Sequence, residues 1–152
     1  MAETKPQTFA NHGRLDPLFH FFLLPVFGLG VLLTLIHFFA HITEGDFSDH
    51  FHAFLLIVLA CALLTAVVKM RLYSLKVQDR VICLEERLRL APLLPDPLRA
   101  RIPELTERQL IALRFASDAE LPRLAERTPN EKLSSKDIKK SIQSWRPDYW
   151  RV

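Results

Sequence analysis

Two apolar stretches decide the fold: PLFHFFLLPVFGLGVLLTLIHFFAHI at residues 17–42 and FHAFLLIVLACALLTAVV at residues 51–68. The eight residues between them, TEGDFSDH, are acidic and contain neither Lys nor Arg. A helix needs about 20 apolar residues to cross the roughly 30 Å hydrocarbon core of a bilayer. The first stretch exceeds this length by itself, and the second meets it once Lys69 and Arg71 extend toward the headgroups. The sequence therefore predicts two transmembrane helices joined by a short loop.

Basic residues around these stretches predict their orientation. Lys5 and Arg14 precede the first stretch, and four basic residues between positions 69 and 80 follow the second. Because positive charge is retained on the cytoplasmic side, both termini are expected in the cytoplasm and the loop outside. A cleaved signal peptide is the rival interpretation of the first stretch, but its apolar run is longer than a signal core and no A-x-A site follows it.

The predicted fold class is all-α, with a two-helix transmembrane hairpin, a second helix that extends into the cytosol, and a small C-terminal helical module. No Gly or Pro occurs between Phe47 and Ala91, which predicts one continuous helix that Pro92 ends. The predicted segments are a cytosolic lead-in at 1–16, the first transmembrane helix at 17–42, an external loop at 43–50, the second transmembrane helix continuing as a cytosolic helix at 51–91, a Pro-rich connector at 92–105, and a C-terminal module with an aromatic-basic tail at 106–152.

The cytosolic part of the long helix carries a coiled-coil pattern. Five apolar residues recur there at alternating spacings of four and three: Val77, Val81, Leu84, Leu88 and Ala91. Four more lie off that line: Leu72, Leu75, Ile82 and Leu90. Because a two-stranded zipper would leave the second set exposed, the pattern favours packing against the chain's own C-terminal helices over homodimerisation.

Start signals predict three short helices in the C-terminal module. Thr106 with Gln109 forms a capping box, which opens a helix to about residue 116. Ser117 and Ser134 are expected to cap two further helices, which reach about residues 127 and 145.

Basic and aromatic residues alternate toward the C-terminus. The residues predicted to contact a partner or lipid headgroups are Arg114, Lys139, Lys140, Trp145, Arg146, Tyr149, Trp150 and Arg151. Such a pattern binds a lipid surface, a partner groove or RNA, and it also packs onto a protein's own core. The net charge is only +3, and the basic excess next to the membrane suits anionic lipid, which disfavours a nucleic-acid partner. The expected partners are membrane lipid and either another membrane protein or a second copy of the chain.

Four histidines flank the loop between the apolar stretches. A hairpin would bring His37, His41, His50 and His52 to the same membrane surface. Imidazole binds zinc, copper and haem iron, so these residues form a candidate metal or haem site. The alternative is that they anchor the helices at the interface or form a pH-sensitive surface.

Chemistry-bearing motifs are otherwise absent from the sequence. It has no nucleophile elbow and no Cys-x-x-Cys pair, and its four Gly include no phosphate-binding loop. The sequence therefore predicts a protein that is not an enzyme and needs no cofactor: a membrane-anchored adaptor or accessory subunit with a cytosolic helical docking surface. A metal- or haem-binding membrane subunit, using the four histidines, is the alternative.

Three stretches resemble a known family. LKVQDRVICLEERLRL at 75–90, LTERQLIALRFASD at 105–118 and WRPDYWRV at 145–152 are similar to sequences of small bacterial two-span membrane proteins, a domain of unknown function. The resemblance extends to Asn11-His12 and Asp16-Pro17 ahead of the first apolar stretch. It implies a bacterial inner-membrane location and a single compact unit, and it supplies no catalytic residues.

Overall fold

The computed structural model describes residues 6–13, 15–43 and 45–148. Over these residues the protein is all-α, as predicted, with no strand. The chain divides into two compact units, where the family resemblance implied one. Of the described residues, those within 15–74 form the helical pair unit, and those within 1–14 and 75–152 form the C-terminal unit.

The first apolar helix starts with an irregular turn. A π-helix, Phe19–Leu23, continues directly into helix α1, Leu24–Ala40. Pro25 lies in the first turn of α1. Because Pro has no backbone N–H and crowds the preceding turn, the wider π-turn ahead of it accommodates the missing hydrogen bond.

The second apolar helix is continuous. Helix α2 spans Phe47–Leu93, 47 residues, which corresponds to a length of about 70 Å at 1.5 Å per residue. Its start is fixed by Asp46, whose Oδ1 accepts a hydrogen bond of 3.0 Å from the backbone N–H of Asp49. Both the Phe19–Ala40 segment and α2 are long and apolar enough to cross a membrane.

Pro92 does not end α2 where the sequence predicted. The helix includes Pro92 and ends at Leu93. A Pro in the last turn removes only one backbone hydrogen bond, so the helix can continue to its final residue. The turn is completed by Leu94, whose N–H donates to the carbonyl of Leu90 over 3.0 Å.

Short helices build the rest of the C-terminal unit. They are α3, Asp96–Arg99; a 3₁₀ turn, Ile102–Glu104; α4, Glu107–Leu113; α5, Leu121–Asn130; and α6, Ser135–Ser141. The capping box is confirmed, because Thr106 Oγ1 accepts from the N–H of Gln109 and Gln109 Oε1 accepts from the N–H of Thr106. The cap at Ser134 is confirmed by its bond to the N–H of Asp137.

The predicted cap at Ser117 is wrong. Helix α5 begins at Leu121, and Glu120 is its N-cap residue without a side-chain capping bond. The Glu120 carboxylate accepts hydrogen bonds from the backbone N–H groups of Gln143 and Ser144, at 3.2 and 3.0 Å. Glu120 therefore binds the backbone at the start of residues 143–148, which we call the tail. It does not complete a capping box with Ser117.

The same tail ends α6 four residues earlier than predicted. The N–H of Arg146 donates to the carbonyl of Phe115 over 2.7 Å, and Ala116 forms an antiparallel bridge with Trp145. The N–H of Ser117 donates to the carbonyl of Ser144 over 3.1 Å. Pairing with residues 115–117 requires extended backbone, which is incompatible with continuing the helix to Trp145.

The core of the C-terminal unit includes one face of α2. Its fully buried apolar side chains include Leu90, Leu110, Leu113, Phe115, Leu121, Leu124 and Ile138. Leu90 belongs to this core, which confirms that it packs within the chain's own C-terminal unit, and Ile82 is also buried. Leu72, from the same predicted set, is exposed and belongs to the helical pair unit.

Candidate functional site

The N-terminal lead-in is part of the C-terminal unit, and it fixes the tail. The side-chain amide of Gln7 pairs with the backbone of Asp148: Nε2 donates to the carbonyl over 3.1 Å, and Oε1 accepts from the N–H over 2.9 Å. One side chain thereby satisfies both backbone groups of a residue 141 positions away.

An aromatic cluster continues this contact. The ring centroid of His12 lies 5.8 Å from that of Phe115 and 5.7 Å from that of Trp145, and those two rings are 5.1 Å apart. Nε2 of His12 is 3.3 Å from Nζ of Lys139. Sequence reasoning missed Gln7 and His12 because a short polar segment has no periodicity to indicate its partner; the only signal was Asn11-His12 in the family resemblance.

A cleft of about 560 Å³ lies between α2 and the tail, within the C-terminal unit. Its lining combines apolar and charged side chains. Those on α2 are Gln78, Val81, Ile82, Glu85, Glu86 and Arg89, and those across from it are Arg114, Arg146, Pro147 and Asp148. We take this cleft as the candidate functional site.

Glu86 is the buried acid of the cleft, with 4% of its surface exposed. Burial raises the pKa of its carboxyl above the usual range, because the charged form loses its hydration. Arg89 and Arg146 oppose this rise, with guanidinium nitrogens 3.1 and 3.5 Å from the carboxylate oxygens. Desolvation raises the pKa of Glu86 by more than the two ion pairs lower it.

Arg89 connects α2 to residues 116–118, the segment next to the tail. Its Nη2 lies 2.6 Å from Oδ1 of Asp118 and donates to the carbonyl of Ala116 over 2.7 Å. Across the cleft, Nε of Arg114 lies 3.2 Å from Oδ2 of Asp148. Alternating charges therefore connect α2, residues 114–118 and the tail.

Most of the residues predicted to contact a partner or lipid headgroups contact other residues of the chain itself. Arg114 is buried, and its guanidinium lies 4.6 Å from the ring centroid of Phe115. Lys139 and Trp145 pack in the aromatic cluster, and Nζ of Lys140 lies 6.0 Å from the ring centroid of Phe9. Arg146 contacts Glu86 but keeps 53% of its side chain exposed. Tyr149, Trp150 and Arg151 lie outside the described residues.

The four predicted histidines line a second cavity, of about 430 Å³, in the helical pair unit. The ring centroids of His37 and His41 are 4.9 Å apart. Nε2 of His50 is 2.9 Å from the carbonyl oxygen of Ile42. Among the described residues, no three His, Cys, Asp or Glu side chains form a group that could hold a metal ion. The structure brings the four histidines to one cavity without assembling such a group.

These features define an all-α protein with two long apolar helices and a compact helical unit onto which residues 143–148 pack. The chain matches, over residues 1–152, the model of a family of unknown function, DUF6526, and it belongs to that family. No curated protein and no solved structure matches it.

Glu86→Gln tests the electrostatics of the cleft. Folding raises the pKa of Glu86, so the protonated carboxyl group is favoured in the folded protein. The stability that Glu86 contributes is therefore fully present below its ordinary pKa of about 4.5. This stability is lost as pH rises through the pKa of the folded state. Glutamine does not ionise, so the Tm of the variant minus that of the native protein should increase as pH rises above about 4.5 and should level off above the folded pKa of Glu86. A change of a few degrees is expected, since 1 kcal/mol corresponds to roughly 4–8 °C in a domain of this size.

Tryptophan fluorescence in detergent measures this difference. Glu126→Gln removes the same charge from an exposed position of the C-terminal unit outside the cleft and is the matched control. A Tm difference for Glu86→Gln that stays constant or falls with pH would contradict the assignment.

Proposed function

We propose that this protein is a non-enzymatic adaptor or accessory subunit of the bacterial inner membrane, which docks another membrane protein in the cleft of its C-terminal unit. The cleft is the observation that carries this proposal. Its apolar side chains, Val81, Ile82 and Pro147, are bordered by charges of both signs, including the exposed Glu85 and Arg146. Apolar contacts with a polar border suit a segment of polypeptide.

The exposure of the apolar helices supports membrane anchoring. None of the apolar window in Phe19–Ala40 and only 6% of that in α2 is buried within the protein. A core helix of a soluble protein would have most of its apolar surface covered by other residues. Lipid would cover side chains such as Phe21, Leu32 and Phe39, which are all more than half exposed.

Contacts within the helical pair unit support a hairpin. Nη1 of Arg71, after the second apolar stretch, lies 3.6 Å from Oδ2 of Asp16, before the first. The Arg71 guanidinium also lies 5.7 Å from the ring centroid of Phe19. Near the loop, His50 contacts the carbonyl of Ile42. Contacts at both ends of the pair favour two antiparallel helices.

The composition of the C-terminal unit supports the same topology. Residues 6–13 pack with the C-terminal helices, although both apolar helices lie between them in the chain. A chain that returns to its starting side crosses a bilayer an even number of times. The basic residues that flank the apolar stretches favour the cytoplasm as that side.

Cysteine labelling tests the topology. In a Cys61→Ser/Cys83→Ala background, Ser48→Cys, exposed in the first turn of α2 next to the loop, should react with an impermeant maleimide in intact spheroplasts. Lys136→Cys, exposed in the C-terminal unit, should react only after lysis. Reaction of Lys136→Cys in intact spheroplasts would refute the proposed orientation.

Photo-crosslinking from both sides of the cleft tests the docking function. A benzophenone amino acid in place of Glu85 or of Arg146 should capture the same discrete membrane protein in native membranes, because these side chains lie on opposite walls. The exposed Arg123, outside the cleft, is the control position and should give no such product.

The mass of the product separates docking from self-association. A crosslinked product at twice the mass of the chain would contain two copies of this protein, and it would not be evidence for docking of another membrane protein. Absence of a heterologous product from both walls, or the same product from position 123, would rule out the cleft as a docking site.

The metal- or haem-binding subunit is a second candidate, favoured by the shared cavity of His37, His41, His50 and His52. It predicts a Soret band or stoichiometric metal in the purified protein, lost in the His37→Ala/His41→Ala variant. His20→Ala is the control, because His20 bonds the carbonyl of Asp16 away from this cavity. Colourless, metal-free protein would eliminate this candidate and leave the adaptor.

A further inference from the structure

The cytosolic part of α2 has an apolar face that the rest of the C-terminal unit does not cover. Val77, Val81, Leu84 and Leu88 are exposed to 62, 48, 58 and 67%. Ile82, Cys83, Glu86 and Leu90, interleaved with them in sequence, are exposed to 7% or less. The helix therefore buries one face in its own unit and leaves the coiled-coil face in solvent.

The two faces lie on opposite sides of α2. With 3.6 residues per turn, the exposed set and the buried set centre about 175° apart around the helix axis. In heptad terms Val81 and Leu88 occupy a positions, and Val77, Leu84 and Ala91 occupy d positions. A second helix could pack on the a/d face without displacing the core.

The charges beside this face specify which helix fits. Arg80 and Arg87 occupy g positions and Glu85 occupies an e position. In a parallel, in-register pair, each g residue faces the e residue five positions later in the other helix, so Arg80 would face Glu85 of a second copy. An antiparallel pair brings g positions together and would oppose arginine with arginine. Within the described residues, neither Arg80 nor Glu85 forms an ion pair.

We infer that α2 forms a parallel, in-register coiled coil with α2 of a second copy, through Val77, Val81, Leu84, Leu88 and Ala91. Two copies inserted in a membrane with the same topology present their helices in parallel. Anchoring also raises their effective concentration, which compensates for a seam of only about two heptads. Val81 and Glu85 also line the cleft, so the pairing would border the proposed docking site.

Disulfide trapping tests this pairing directly. In the full-length Cys61→Ser/Cys83→Ala protein, Leu84→Cys at a d position should form an intermolecular disulfide when native membranes are oxidised. Equivalent d residues of a parallel pair approach within the Cα separation that a disulfide spans, about 4.4–6.8 Å. Asp79→Cys, exposed on the side away from the seam, should give no dimer band.

Charge reversal at Arg80 and Glu85 tests whether the two α2 helices pair in register. A double reversal should restore a contact that the single reversal breaks. Glu85→Arg should abolish the Leu84→Cys disulfide because it opposes Arg80 with arginine across the pair, and Arg80→Glu/Glu85→Arg should restore it. Dimer formation at position 79 equal to that at 84, no dimer at 84, or failure of the double variant to recover would overturn the inference. These outcomes report chain-to-chain contact alone, so they are independent of whether the cleft captures a heterologous partner.

Discussion

One helix carries apolar side chains on more than one side, and much of the structure follows from this constraint. In its part within the C-terminal unit, α2 carries Ile82 and Leu90 on one face and Leu84 and Leu88 on the other. Short helices with few buried residues of their own are marginal in isolation, so the C-terminal helices depend on the first of these faces for a core. The second face is then available for another chain, which is why a coiled-coil pattern and an intramolecular core coexist on the same turns.

Buried charges determine how the tail lies on this core. A carboxylate such as Glu86 loses more by desolvation than its ion pairs return, so the charges contribute little net stability. They fix the position of residues 116–118 relative to α2 instead, because one guanidinium, that of Arg89, contacts Glu86, Asp118 and the carbonyl of Ala116. The tail is thereby held beside α2, and the cleft is the space that remains between them.

The two cavities differ in the chemistry they offer. The cleft brings together opposite charges that already pair with one another, beside apolar side chains, and the docking proposal rests on this combination. The histidine cavity brings together four side chains of one type near the loop. In His50 a ring nitrogen is already engaged by the backbone at Ile42, which reduces the ligating capacity of that side chain.

The sequence by itself determined the all-α class, the two apolar helices, the continuity of α2 and the caps at Thr106 and Ser134. These features depend on residues within one or two turns of each other, so local patterns are sufficient to predict them. It also predicted that the four histidines lie near one another, because a short loop joins the helices that carry them.

Only the tertiary structure decided the end of α6, the role of Glu120, and the inward positions of Arg114, Lys139 and Trp145. Each depends on partners that are distant in sequence, as when Gln7 pairs with Asp148 or His12 packs on Phe115. A local pattern states that a helix can continue or that a basic residue can face solvent. It does not contain the competing backbone partner, such as the carbonyl of Phe115 for Arg146, that makes an extended tail more favourable than another helical turn.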